Sequence, residues 1–82
     1  MQIENVTAEY IVEVLARNPL VRFNKYDWEF FAGAEDPDAR IAYEENLAII
    51  LDGNLIQVID MDSEYADFVD FDFEDIYRLA DC

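Results

Sequence analysis

The chain has 82 residues, 54% of them apolar and 15% aromatic, and five bases against 20 acids give it a formal charge of −15 at neutral pH. Its length allows one domain, 1–82, without room for a second core, and its apolar content sets it apart from disordered chains. Charge on this scale opposes compaction and does nothing for the fold, so it implies a need other than folding. Anionic membranes and nucleic acids would both be repelled, which leaves a basic partner.

Thr7 fits an N-cap, and Glu9 lies in the first turn, where the helix dipole favours an anion. Ile11, Val14 and Leu15 follow at helical spacing, with Ala8 and Asn18 on the same stripe, and Asn18-Pro19 ends the run. A helix is predicted over 7–17. The next segment, 20–33, supports two readings. Val21, Phe23 and the Tyr26/Trp28/Phe30 series alternate with polar residues as in a strand. Asn24 as N-cap, Asp27 three residues on and Gly33 as a stop would instead make a short helix. The aromatic and β-branched content favours the strand.

Residues 34–39, with three acids and a proline, read as a loop. Asp52-Gly53 between two apolar runs predicts a type I′ hairpin pairing 47–51 with 54–60. The first strand extends back through Arg40–Glu45, with a bulge near Glu45-Asn46. Both faces of this hairpin are partly apolar, so helices should cover at least one side. In the tail, Tyr65, Phe68, Val69, Phe73, Ile76, Leu79 and Ala80 form one helical stripe, but Asp72 falls in the middle of it. Two helical pieces meeting near Asp70–Asp72 are therefore predicted, the second over 73–81 with Asp72 as cap and Asp75 completing a short capping box. The expected fold is α+β: an N-terminal helix, about three antiparallel strands and a C-terminal acidic helical segment.

Catalytic chemistry finds few candidates. There is no histidine, no base to activate Ser63 or Thr7, and only Gly33 and Gly53 to build a phosphate loop. Five scattered bases would struggle to hold the anionic substrate of a carboxylate-metal nuclease. Asp60-x-Asp62-x-Glu64 imitates the start of a calcium loop, but the sixth position is Tyr65 and the twelfth is Phe71. No enzyme activity, cofactor or metal site is expected. A single cysteine, Cys82, can form no disulfide within the chain, and nothing before Thr7 reads as a leader. Both features suit the cytoplasm.

The acids are concentrated near the end of the chain. Residues 60–82 hold nine acids and one base, or −8 of the −15. Asp60, Asp62, Glu64, Asp67, Asp70, Asp72, Glu74 and Asp75 recur every one to three residues. Alternate strand residues are about 6.6 Å apart, and i,i+3 neighbours on a helix about 5–6 Å. Either spacing sets carboxylates at intervals comparable to successive phosphates. These acids are the predicted partner-binding surface. Glu35, Asp36, Asp38, Glu44 and Glu45 either extend it or form a second patch. Tyr65, Phe71 and Tyr77 belong to the core or, if exposed, anchor the partner. A merely solvated acidic face, as on a halophilic protein, and an acidic antitoxin or immunity protein covering a basic toxin remain alternatives.

In size, charge and lack of catalytic residues the chain resembles the small acidic phage proteins that mimic DNA, the anti-CRISPR and anti-restriction inhibitors. Its order of elements is similar to one type II anti-CRISPR architecture: an N-terminal helix, a meander with a "DGN" turn (Asp52-Gly53-Asn54 here) and acidic helices. The resemblance carries over no binding residue. It implies a stoichiometric inhibitor that fills the groove of a DNA- or RNA-binding protein such as a CRISPR effector nuclease. Restriction enzymes, glycosylases and histone-like proteins are alternative targets.

Overall fold

A computed structural model describes residues 3–31 and 33–81. Cys82, the single thiol, lies outside the described residues. After a 3-10 turn at Ile3–Asn5, helix α1 runs from Ala8 to Arg17. Thr7 caps it as expected, its Oγ1 accepting from the Tyr10 amide at 3.2 Å. Ile11 and Val14 are fully buried, and Leu15 and Ala8 pack beside them. At the other end the Asn18 amide donates back to the Val14 carbonyl, and Pro19 prevents a further turn.

Segment 20–33 corrects the strand expectation. Only Val21–Arg22 forms a strand, β1, and Lys25–Phe30 is a helix, α2. Local hydrogen bonding outweighed aromatic content here. The Asn24 side chain accepts from the Asp27 amide at 2.9 Å, and the Asp27 carboxylate accepts from the Asn24 amide at 3.0 Å, a complete capping box. The helix ends at Phe31, two residues before Gly33.

Three longer strands follow, β2 (Arg40–Glu44), β3 (Leu47–Asp52) and β4 (Leu55–Asp60), then β5 (Phe68–Asp72) and helix α3 (Phe73–Ala80). Among the described residues the sheet has five strands in the order β1-β2-β3-β4-β5, where about three were expected, and every neighbouring pair is antiparallel. The predicted hairpin is present, but its loop is Gly53-Asn54, because Asp52 and Leu55 are register partners. Among the loop residues only Gly53 has positive φ (64°), which is the type II′ pattern instead of type I′. Arg40–Glu44 does not continue into β3 through a bulge. It turns at Glu45-Asn46, with Glu45 at φ 52°, and pairs with β3.

The tail holds the largest correction. Its first piece, expected to be helical, is strand β5, so one helix follows where two were predicted. Residues 68–72 read Phe-Val-Asp-Phe-Asp, and in a strand Val69 and Phe71 point to one face while Phe68, Asp70 and Asp72 point to the other. Asp72 caps α3 as predicted, its carboxylate accepting from the Glu74 amide at 3.0 Å, but among the described residues Asp75 completes no capping box.

Both faces of the sheet carry core. On one, Leu47, Ile49, Ile56 and Val58 meet Ile11 and Val14 of α1 and Ile76 of α3, with Val69, Phe71 and Phe73 against them. On the other, Ala39, Ile41, Ala48 and Ile50 meet Phe23, and Trp28 and Phe31 close over them. Continuous burial of Leu47–Ile50 follows from this double covering. Among the described residues a single hydrogen bond ties α2 to the sheet: the Tyr43 hydroxyl donates to Asp27 at 2.6 Å. Asp27 is the sole buried charged residue among those described, 6% exposed.

Candidate interaction surface

The second face is only half covered. Helix α2 and its aromatics lie over β2 and β3, whereas the β4–β5 half is open. There Leu55, Gln57 and Ile59 of β4 stand beside Phe68, Asp70 and Asp72 of β5, paired Ile59–Phe68, Gln57–Asp70 and Leu55–Asp72. Phe30 and Phe31 form the opposite wall of a groove of about 310 Å³ floored by Ile50, Leu55 and Ile59. Phe30 is 77% exposed and Phe68 57%. Asp52 and Gln57 also line this groove, which lies between α2 and β3–β4 and stops short of β5.

The sheet distributes the acids of the predicted surface over an edge and two ends. Asp70 and Asp72 lie on β5, about 6.6 Å apart by strand geometry, and both are exposed. Glu74 and Asp75 continue from them in the first turn of α3, where the helix dipole stabilises anions. Glu35, Asp36 and Asp38 join this end. The Asp36 carboxylate accepts from the Gly53 amide (3.2 Å) and the Asp38 amide (2.8 Å), and Asp52 accepts from the amides of Glu35 and Asp36. This interlacing fixes loop 34–39 to the β3–β4 turn.

The opposite end of the sheet carries Asp60, Asp62, Glu64 and Asp67. Asp60 is half-buried, its Oδ1 accepting from the Asn46 side chain (2.7 Å) and the Asp62 amide (3.0 Å). Asp67 accepts from the Ser63 hydroxyl at 3.1 Å, and Glu64 is free and exposed. Glu44 and Glu45 belong to this end as well. Glu44 is already engaged: it accepts from the Asn18 side chain and pairs with Arg17 at 3.7 Å. Burial and then the carboxylates of Glu44 and Glu45 raise the pKa of the Tyr10 phenol beside them. Among the described residues, no three acids converge on a metal-sized site.

The bases do not neutralise the β5 edge. Arg22 and Arg40 are register partners on β1 and β2, with Lys25 close by in sequence. Four strand spacings of about 4.8 Å put β1 about 19 Å from β5, beyond a Debye length of about 8–10 Å. Only Arg78 is local, and its contact with Glu74, at 3.9 Å between two exposed side chains, contributes little.

Of the proposed anchors, Phe71 belongs to the core, whereas Tyr65 is 84% exposed and Tyr77 lies on the surface of α3. Sequence reasoning did not single out Phe30, Phe31, Leu55, Ile59 or Phe68 as a surface. The available signal was the period-two alternation of 68–72, which a helical reading of the tail obscures. No protein-family model, curated protein or solved structure matches this chain. Among the described residues, no helix is long and apolar enough to cross a membrane.

Proposed function

We propose that this chain is a stoichiometric, non-enzymatic inhibitor that mimics DNA and fills the nucleic-acid groove of a basic DNA- or RNA-binding protein. A phage-encoded inhibitor of a host defence nuclease, of the anti-CRISPR or anti-restriction kind, working in the host cytoplasm, fits this description best. The observation that carries the reading is the row of carboxylates on Asp70, Asp72, Glu74 and Asp75, met only by an exposed Arg78 and held on a strand and a capped helix start instead of a disordered tail. An ordered row has geometry as well as charge, so it can compete for sites built to follow phosphates. Exposed Phe68 on the same strand and exposed Phe30 on α2 favour a protein as the bound molecule, since such contacts are typical of interface cores.

The test has two arms, using a partner captured from host lysate. Binding should weaken steeply with salt, and excess duplex DNA should displace the inhibitor. Replacing Asp67, Asp70, Asp72 and Glu74 with Asn or Gln keeps the shape and should abolish inhibition in the folded variant. A purely solvated face predicts no loss. A toxin held through a patch other than a DNA groove would bind equally well with duplex present, and that result would replace mimicry with the antitoxin reading.

A further inference from the structure

The free edge of β5 is a built receptor for an added strand. The Asp60 amide donates to the Asp67 carbonyl at one end of the β4–β5 ladder, and the Phe73 amide donates to the Asn54 carbonyl at the other, each at 2.8 Å. Antiparallel pairs alternate between bonded and non-bonded positions. Between those two bonded pairs, positions 69 and 71 bond to β4. Phe68, Asp70 and Asp72 therefore turn both amide and carbonyl away from the sheet. The Asp72 carbonyl accepts the first intrahelical bond of α3, as an N-cap carbonyl does; among the described residues no second strand and no turn or cap bond reaches the other five groups. Edges of this kind are the template for β-strand addition.

We propose that β5 accepts an extended segment of a partner protein in which basic and apolar residues alternate. Paired side chains share a face, so residues opposite Asp72 and Asp70 stand over exposed carboxylates and should be Lys or Arg. The residue opposite Phe68 stands beside that exposed ring and should be large and apolar. Those opposite Phe71 and Val69 extend the α1–α3 core, which favours Val or Ile. An antiparallel segment thus reads basic-apolar-basic-apolar-aromatic. Charge also argues against a second copy as the occupant, because antiparallel β5–β5 pairing centred on Asp70 sets Asp70 against Asp70. The inference rests on the proposed function only for the sign of the partner's charge. An inhibitor can block a DNA groove without adding a strand, and strand addition does not require DNA mimicry.

The probe is a capped peptide with Arg-Val-Arg-Val-Phe at its centre, titrated against the full chain. Binding should protect the amides of Phe68, Asp70 and Asp72 from hydrogen exchange, and each peptide amide facing β5 that is N-methylated should weaken binding about tenfold. Methylation of the alternate amides should have a much smaller effect. On the protein, Asp70→Pro removes an outward N–H that the ladder does not use, as edge strands permit. It should bind at least tenfold more weakly than Asp70→Asn, which removes only the charge. Should Asp70→Pro fail to fold, the methylated peptides decide the matter on the native protein. The proposal is overturned if the peptide does not bind, if both methylation patterns act equally, if the β5 amides stay unprotected, or if the free protein is already a dimer with those amides protected. Duplex-sensitive inhibition that persists alongside any of these results would leave the DNA-mimic reading standing alone.

Discussion

Replacing Tyr43 with Phe removes one hydroxyl and, with it, the bond that holds α2 to the sheet. The Tyr43 Oη to Asp27 Oδ1 distance is 2.6 Å, and Asp27 is 6% exposed. The other carboxylate oxygen keeps the Asn24 amide, so the variant leaves Oδ1 without that donor. A hydrogen bond to a charged group contributes about 1.5–3 kcal/mol. The Tyr43 side chain is partly exposed and water can reach the site, which points to the lower end, about 1.5 kcal/mol. For a domain of this size that corresponds to a fall in Tm of about 6–12 °C. The same contact carries a pH signature. Burial first, and then the hydrogen bond and charge of Asp27, push the Tyr43 phenol up to about 12 from an ordinary 10. Its folded pKa lies above the unfolded one, so its contribution is complete below pH 10 and is lost as pH rises from 10 to 12. Thermal melts by near-ultraviolet circular dichroism at neutral pH, repeated across the alkaline range, measure both effects. The variant should melt lower at neutral pH and approach the native protein near pH 12. A Tm within 2 °C of the native value and parallel alkaline curves would show that α2 is held by its aromatics alone.

Three further outcomes are expected. Gly53→Val should cost about 1–2 kcal/mol while Gly53→Asn costs much less, because a Cβ there meets nothing within 4 Å and the penalty is the positive φ alone; equal losses on urea unfolding would point to a steric cause. Raising monovalent salt from low to moderate concentration should raise Tm by screening the repulsion among 20 acids, and an unchanged or lower Tm in scanning calorimetry would mean the fold already compensates them. Asp72→Ala should cost about 1 kcal/mol through the lost cap of α3, with Asp72→Asn near neutral; a loss as large in Asn would assign the effect to charge.

What the sequence determined by itself was local. Thr7, the Asn24/Asp27 pair, Gly53 and Asp72 each act on a backbone group within three residues, so caps and turn can be read without knowing the rest of the chain. Composition likewise determined the sign and size of the charge. Other features depended on residues distant in sequence. Residues 68–72 suit a helical stripe as well as a strand, and only pairing with 55–59 selects the strand and sets Val69 and Phe71 in the core. Residues 26–30 carry both a strand-like alternation and the Asn24/Asp27 capping pair, and the helix is held where Asp27 also meets Tyr43 on β2, 16 residues away. The fate of each acid was decided in the same way. Glu44 meets Arg17 and Asn18, and Asp36 meets the Gly53 amide, across 17 to 27 residues of chain, whereas Asp70 projects exposed from an edge strand beside Gln57, with no base against it among the described residues. One-dimensional spacing records that carboxylates recur. Which of them remain free is set by sheet order, because neutralisation acts over a few ångströms in space and takes no account of separation along the chain.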